Sequence, residues 1–378
     1  MAMPAGPRVP FLDLAATHAE LAAEIESAVL AVLRSGRYVL GPEVEAFEAE
    51  FAASLGVRHC VGVGNGLDGL RLSLQALGVG AGDEVIVPGH TYIATWFAVS
   101  AAGATPVPVD VDERTYLIDP AAVEAAITPR TRAIMPVHLY GQPAPMSALL
   151  EVARRHDLAV VEDAAQAHGA AMAGVPAGTQ GDAAAWSFYP VKNLGAAGDA
   201  GAVTTNDDAL ARRLRVARNQ GALTRSVHEI VGSNSRLDEI QAAILRVKLR
   251  HLERWNARRR SIAERYLAGL SGTGLGLPAV LPGSFHVWHQ FVVRHPRRDA
   301  LRVALAEAGI ETLIHYETPP HLQAAYANLR LAEGALPTTE KLAREILSLP
   351  VDPCLGDVAI DAVIAAALAW NRAERRAA

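Results

Sequence analysis

The chain holds only three lysines, Lys192, Lys248 and Lys341, among 35 lysine and arginine residues together. Lys192 stands apart by its surroundings. Between Asp182 and Asp199 it is the only charged side chain, in a run of small and apolar residues (AAAWSFYPVKNLGAAG). Burying an ammonium is costly unless the group neutralises or reacts. Desolvation also lowers a lysine's pKa and makes the amine nucleophilic, which condensation with a carbonyl requires. Lys248 (RVKLRHLER) and Lys341 (TEKLARE) sit among other charges, where a solvated helix face accounts for them. The bland alternative for Lys192 is a surface lysine with its stem laid on apolar neighbours.

Upstream, the apolar run Leu158-Ala-Val-Val-Glu ends at Asp163 and passes into the small-residue turn Ala-Ala-Gln166-Ala-His168-Gly169. In a parallel α/β sheet, side chains at the carboxyl ends of strands face the ligand crevice. A carboxylate there is suited to hold a pyridine nitrogen protonated, so that the ring draws electrons. An aspartate capping a following helix is the competing account. His168 reads as a core or supporting histidine rather than a base.

Earlier still lies Gly64-Asn65-Gly66-Leu67-Asp68-Gly69, a literal G-x-G-x-x-G. Alone it suggests dinucleotide binding. The acidic residues at the expected distance, Asp83 and Glu84, precede the next apolar run instead of ending it, so they could not reach a ribose. A glycine turn opening a helix still offers backbone N–H groups and a positive dipole end to a phosphate. A plain strand-to-helix turn is the alternative. A phosphate turn, a strand-end acid and an isolated lysine, in that order, describe a pyridoxal 5'-phosphate site of the aspartate-aminotransferase type.

Such a site needs a sheet to carry it. From about residue 57, continuous apolar runs at 60–63, 84–88, 105–109, 132–137, 158–162, 184–188 and 201–205 alternate with helical stretches such as 67–77 and 146–156. Continuous runs suit strands covered on both faces, and the alternation suits an α/β fold with a mainly parallel sheet. Residues 17–34 predict one amphipathic helix with Leu21, Ile25, Ala28, Val29 and Val32 on its apolar face. A long charged amphipathic stretch, about 236–268, leads to a smaller α+β lobe. The expected division is a large domain over 1–250, with its N-terminal helical segment, and a small C-terminal domain over 251–378.

Composition narrows the function classes. The chain of 378 residues is 51% hydrophobic and carries a formal net charge of −5, enough to bury a sizeable core. No long basic run appears, which argues against nucleic acid as the main partner. Two cysteines, Cys60 and Cys354, make no disulfide framework and no metal-ligand spacing, so a reducing cytoplasm is expected. The opening MAMPAGPRVPFLDL lacks the apolar core of a signal peptide, and no apolar run is long enough to span a membrane.

With these motifs in place, the chain resembles the DegT/StrS family of sugar-nucleotide aminotransferases. The likeness runs through VPFLDL, SGRYVLGPEVEAFEAEFA, GDEVIVPGHTYIAT, PVHLYGQPA, VVEDAAQAHGA, SFYPVKNLGAAGDAGAV, NSRLDEIQAAIL and HYETPPHL. It is most like enzymes that aminate C3 of dTDP-linked 3-keto-6-deoxyhexoses. The resemblance implies a fold type I, aspartate aminotransferase-like architecture, pyridoxal 5'-phosphate as cofactor, L-glutamate as amino donor and a nucleotide-linked ketosugar as acceptor. It also implies a homodimer with shared active sites. By position it implies Lys192 as the Schiff-base lysine and proton shuttle, Asp163 beside the pyridine nitrogen, Gln166 beside the phenolic oxygen and Tyr92 over the ring. The phosphate would meet the backbone of Gly66 and Leu67, the Ser187 hydroxyl and Asn234 of the partner subunit. Tyr189, His315 and Tyr316 match positions near the sugar. Arg225, from the second subunit, stands where relatives carry a lysine facing the diphosphate. Gln220 and the pair Asp68-Gly69 are further small departures.

Rival readings remain on the same fold. A 4-keto sugar or a cyclitol could be the acceptor. A sugar dehydratase would carry histidine at the lysine position. A non-catalytic regulator would be expected to lose Lys192 or Asp163.

Overall fold

The computed structural model describes residues 8–377; within the N-terminal reading, MAMPAGP lies outside them. Helices α1 (Leu14–Glu20), α2 (Ala22–Ser35) and α3 (Pro42–Leu55) come first. Strand and helix then alternate strictly: β1 (His59–Val63), α4 (Gly66–Ala76), β2 (Glu84–Pro88), α5 (Ala94–Ala101), β3 (Thr105–Val109), α6 (Pro120–Ala125), β4 (Thr131–Ile134), α7 (Met146–His156) and β5 (Ala159–Asp163). A short hairpin, β6 (Ala171–Met172) and β7 (Val175–Pro176), precedes β8 (Ala183–Ser187), β9 (Gly201–Thr205) and α8 (Asp208–Arg218).

Among the described residues, the main sheet has seven strands in the order β1-β9-β8-β5-β4-β2-β3. β9 runs antiparallel to both neighbours, and the other pairings are parallel. The mainly parallel α/β sheet expected from the sequence is therefore present. Its strands are almost wholly buried: β2 and β9 show no exposed or half-buried residue. That is why they read as continuous apolar runs rather than alternating ones. β1, β2, β4, β5 and β8 share one direction, so the residues after β1 and the last residues of β5 and β8 gather along one edge.

After a second hairpin, β10 (Ala222–Thr224) and β11 (Val227–His228), come α9 (Glu239–Leu249) and α10 (Leu252–Gly269). Then follow β12 (Ser284–Phe285), β13 (Phe291–Arg294), α11 (Arg298–Glu307), α12 (Pro337–Glu345), β14 (Ile346–Leu349) and α13 (Asp357–Ala377). A hydrophobic cluster that includes Tyr266, Phe291, Leu305, Leu347 and Ile360 gathers these C-terminal elements, and Val9 joins it.

Two expectations need correction, one over 17–34 and one over 132–137. The helix over 17–34 is two helices, interrupted at Leu21, whose φ of −119° leaves the helical range and whose amide bonds back to His18 at 3.0 Å. The apolar face survives the break, because Leu21, Ile25, Ala28 and Val29 pack with Ile244, Val247 and Trp255. The charged stretch 236–268 is filled by two helices that meet at Arg250–His251. The strand over 132–137 ends at Ile134, two residues before Pro136, which has no N–H to give to a ladder. No helix among the described residues is long and apolar enough to cross a membrane.

Candidate active site

A cavity of about 480 Å³ opens at the carboxyl edge of the sheet. The structure brings Lys192 and Asp163 to it together with Gly66, Leu67, Tyr92 and Gln166. Ser187, Tyr189, His315 and Tyr316 line it as well. Asn234 and Arg225 do not line the cavity in their own chain, and both are exposed. Arg225 sits at the tip between β10 and β11, near the exposed apolar side chains of Leu223, Val227 and Val231.

Lys192 follows β8 on a tight loop. Its amide bonds to the Tyr189 carbonyl at 2.9 Å, and a Cβ on Gly195 would stand 2.3 Å from the Pro190 oxygen. The loop is fastened from both sides. Asn193 donates through Nδ2 to Asn256 Oδ1 at 2.9 Å and to the Val287 carbonyl at 3.0 Å, while its Oδ1 pairs with His289 Nδ1 at 3.1 Å. Burial lowers the Lys192 amine from an ordinary lysine's 10.5 to about 8, with the nearby Asp163 charge pulling the other way. The amine is thus far closer to its free, nucleophilic form at neutral pH than a solvated lysine. Lys341, by contrast, pairs with Glu113 at 2.8 Å on the surface. Lys248 departs from the solvated-face reading: its Nζ donates to the Gly195 carbonyl at 2.7 Å, and burial lowers its pKa.

Asp163 is the last residue of β5 and is buried. Its Oδ2 accepts from Thr95 Oγ1 at 2.8 Å, and Thr95 is itself bonded to Thr91 Oγ1 at 2.8 Å. Its Oδ1 accepts from the Ala165 amide at 3.2 Å. Burial pushes the carboxyl above the usual range, opposed by these donors and by the charge of Lys192. Just behind it, Glu162 collects His138 Nε2 at 2.8 Å and the amides of Gly178, Gln180 and Gly181. Those donors anchor the strand end that presents Asp163.

The turn after β1 is a helix start of the expected kind. Asn65 caps α4, its Oδ1 accepting from the Asp68 amide at 2.8 Å. The amides of Gly66 and Leu67 fall in the first turn, where a helix offers no acceptor. Glycine at 66 has a steric reason, since a Cβ there would lie 2.7 Å from Ser187 Cβ. The close approach sets two free amides beside the Ser187 hydroxyl, a cradle suited to an anion. Glu84, the first residue of β2, is engaged by Arg130 and Thr128 at the end of the strand away from the cavity, so it is not placed to hold a dinucleotide's ribose.

Gln166 accepts through Oε1 from the Tyr140 amide at 2.6 Å and donates through Nε2 to Tyr316 Oη at 3.0 Å. Tyr92 and Tyr316 face each other with ring centroids 5.3 Å apart. His315 is held by Ser348 Oγ at 2.7 Å, and burial brings its pKa to about 4. His168 is fully buried beside Trp186 and Phe188 and is lowered by burial to about 3, away from the cavity lining. The residues present fit pyridoxal 5'-phosphate: an anion cradle, a buried carboxylate and a lysine of lowered pKa line the same cavity.

The comparisons agree with this geometry. Residues 19–368 match the DegT/DnrJ/EryC1/StrS aminotransferase family. The chain is 58% identical, over 92% of its length and 92% of the relative's, to dTDP-3-amino-3,4,6-trideoxy-alpha-D-glucose transaminase of Streptomyces venezuelae. It is 57% identical to the erythromycin biosynthesis sensory transduction protein EryC1 of Saccharopolyspora erythraea, over 94% of this chain and 98% of that one. The crystal structure of S. venezuelae DesV in complex with a ketimine intermediate superposes with a TM-score of 0.95 at 56% identity, covering 97% of this chain and 99% of that one.

Proposed function

The chain belongs to the DegT/DnrJ/EryC1/StrS aminotransferase family, and from that premise we propose that it moves an amino group from L-glutamate to C3 of a dTDP-linked 3-keto-6-deoxyhexose. One observation carries the reading: a half-buried lysine with its pKa brought down to about 8 shares a cavity with a buried strand-end aspartate. Bound pyridoxal 5'-phosphate supplies the electron sink that lets a proton leave the amine-bearing carbon. In this proposal Asp163 keeps a proton on the pyridine nitrogen, and Thr95 keeps Asp163 aimed at it. The amides of Gly66 and Leu67 and the hydroxyl of Ser187 bind the phosphate, completed by Asn234 of the partner subunit. Tyr92 covers the ring face and Gln166 stands at the phenolic oxygen.

Lys192 Nζ would take the proton from the donor's amine-bearing carbon and pass it to the bound cofactor, then in the second half-reaction carry a proton to C3 of the acceptor, acting as general base and then general acid; a pKa near neutrality suits both tasks. Tyr189, His315 and Tyr316 offer neutral polar groups to a polyhydroxyl ring. Arg225 of the partner subunit pairs with the diphosphate, for which a guanidinium's fork is well matched. The exposure of Asn234, Arg225 and the apolar β10–β11 hairpin supports a homodimer that shares its sites. The division near residue 250 belongs to the same reading, supported by the sheet being complete at Thr205 and by the hydrophobic cluster of the C-terminal elements.

The relative named as a sensory transduction protein raises the regulatory alternative. Retention of both Lys192 and Asp163 favours catalysis, and a lysine rather than a histidine at 192 favours transamination over dehydration. The test is to incubate the purified enzyme with glutamate and, separately, dTDP-3-keto and dTDP-4-keto sugars, then locate the new amine by NMR. Amination at C3 is expected. Amination only of a 4-keto sugar or of a free cyclitol ketone would overturn the acceptor.

A further inference from the structure

Tyr140 receives no role from the sequence. Its backbone lies in the left-handed region, with φ of 59°, a conformation uncommon for an aromatic residue. The turn that holds it leaves directly from the site, because the His138 amide bonds to the Asp163 carbonyl at 3.1 Å. The C-terminal elements hold the same turn: the Val287 amide donates to the Gly141 carbonyl at 3.0 Å and the Gln290 amide to the Tyr140 carbonyl at 3.3 Å.

From this turn Tyr140 makes two contacts in opposite directions. Its amide donates to Gln166 Oε1 at 2.6 Å, and its hydroxyl donates to the carbonyl of His315. Gln166 in turn donates to Tyr316 Oη at 3.0 Å. The bonds close a ring: Gln166, Tyr140, His315, Tyr316 and back to Gln166. One more partner fixes the hydroxyl. His90 Nε2 lies 2.8 Å from it. A carbonyl can only accept, so the single hydroxyl proton points to His315, and His90 Nε2 must carry the hydrogen it shares with the phenol oxygen. Burial agrees, since it lowers His90 to about 4 and leaves the ring neutral.

We propose that Tyr140 is a positioning residue, oriented by His90, that sets where His315 and Tyr316 stand over the cavity and so how tightly the sugar is held. This rests on the reading above, in which those two residues face the sugar. The competing account is a fastener of two parts of the fold. Loss of a mere fastener would weaken the protein and slow both half-reactions together. Loss of a sugar-positioning group touches the ketosugar side alone.

Tyr140→Phe removes the hydroxyl and keeps the amide bond to Gln166. In the holoenzyme, KM for the ketosugar should rise about 10-fold, with the single-turnover rate for glutamate changed less than about 2-fold. Calorimetry with dTDP-glucose, which has no ketone to react, should show its Kd weakened by a similar factor, about 10-fold. His90→Ala should shift KM in the same direction, and His90→Gln, which restores an N–H donor, should bring it back. The His90 pair carries the test if Tyr140→Phe folds poorly. Equal losses in both half-reactions, or KM and Kd unmoved in these variants, would overturn the proposal. Failure of the unmodified enzyme to bind dTDP-glucose or to aminate any nucleotide sugar strikes at the acceptor reading itself, and this inference falls with it.

Discussion

The ammonium of Lys248 donates to the carbonyl of Gly195 at 2.7 Å, so one lysine of the chain pins the loop that carries another. Gly195 follows Lys192 by three residues, and its neighbour Ala197 is held by Gln241 Oε1 at 2.8 Å. Both anchors come from α9, which packs closely on α3 and α2. Lys248→Met keeps the stem and loses the donor, leaving a half-buried carbonyl short of its partner. We expect a loss of about 1 kcal/mol in stability and a fall in kcat of a few fold, with cofactor still bound. Thermal melting and steady-state kinetics on one preparation check it; kcat indistinguishable from the parent would show that the pin does not reach the reactive amine.

The depressed pKa of Lys192 predicts how the cofactor-free protein responds to pH. Below about 8 the amine is mostly charged and unreactive; above it, mostly free. The rate of cofactor capture should therefore climb as pH rises through about 8 and then flatten. Folding stability follows the same sign. Between about 8 and 10.5 the unfolded chain binds more protons at this site than the folded one, so its contribution to stability rises with pH across that window. Comparing the cofactor-free parent with Lys192→Met isolates it. A capture rate flat across pH 8, or borohydride labelling of Lys248 or Lys341, contradicts the assignment.

At Asp163 the charge matters more than the shape. Asp163→Asn should lower the turnover rate on the order of 10³-fold, or several kcal/mol in the barrier. Thr95→Val keeps the carboxylate and removes one donor from it, so a smaller loss, about 10-fold, is expected. Rates of the isolated half-reactions measure both. Near-normal turnover in Asp163→Asn would reduce the residue to a structural cap.

What the sequence disclosed depended on how local the signal was. Strands β2, β3 and β9 and helix α7 were legible to the residue, because buried strands and an amphipathic helix are written in contiguous residues. Lys192 and Asp163 were legible too, one by its isolation from other charges and the other by its place at a strand end. Lys248 was not: its neighbours Arg246, Arg250 and His251 make it look solvated, and only the approach of α9 to the 190–196 loop shows otherwise. Thr95, Asn193 and Tyr140 act through partners 68, 63 and 175 positions away, which no window of residues contains. Gln220, a small departure from the family pattern, stands at a left-handed turn position with φ of 60°, which its place in the sequence does not disclose.

The proposed assembly can be tested by complementation. Asn234 is exposed and absent from the cavity lining of its own chain, although Ser235 beside it reaches Asp68 on α4 at 2.7 Å. If Asn234 completes the partner subunit's phosphate site, Lys192→Ala and Asn234→Ala damage different sites when they lie on different chains. In a mixed dimer, one composite site then has both residues and the other has neither. Each variant alone should be nearly inactive. Equal mixing with free subunit exchange makes half the dimers mixed, each with one working site of two, so activity should recover to about a quarter of the parent's. If Asn234 serves its own chain, every site in the mixture lacks one residue and no activity returns. Exchange is verified by mass spectrometry with chains of two tag lengths, and silence in a sample that holds mixed dimers would remove Asn234 from the shared site.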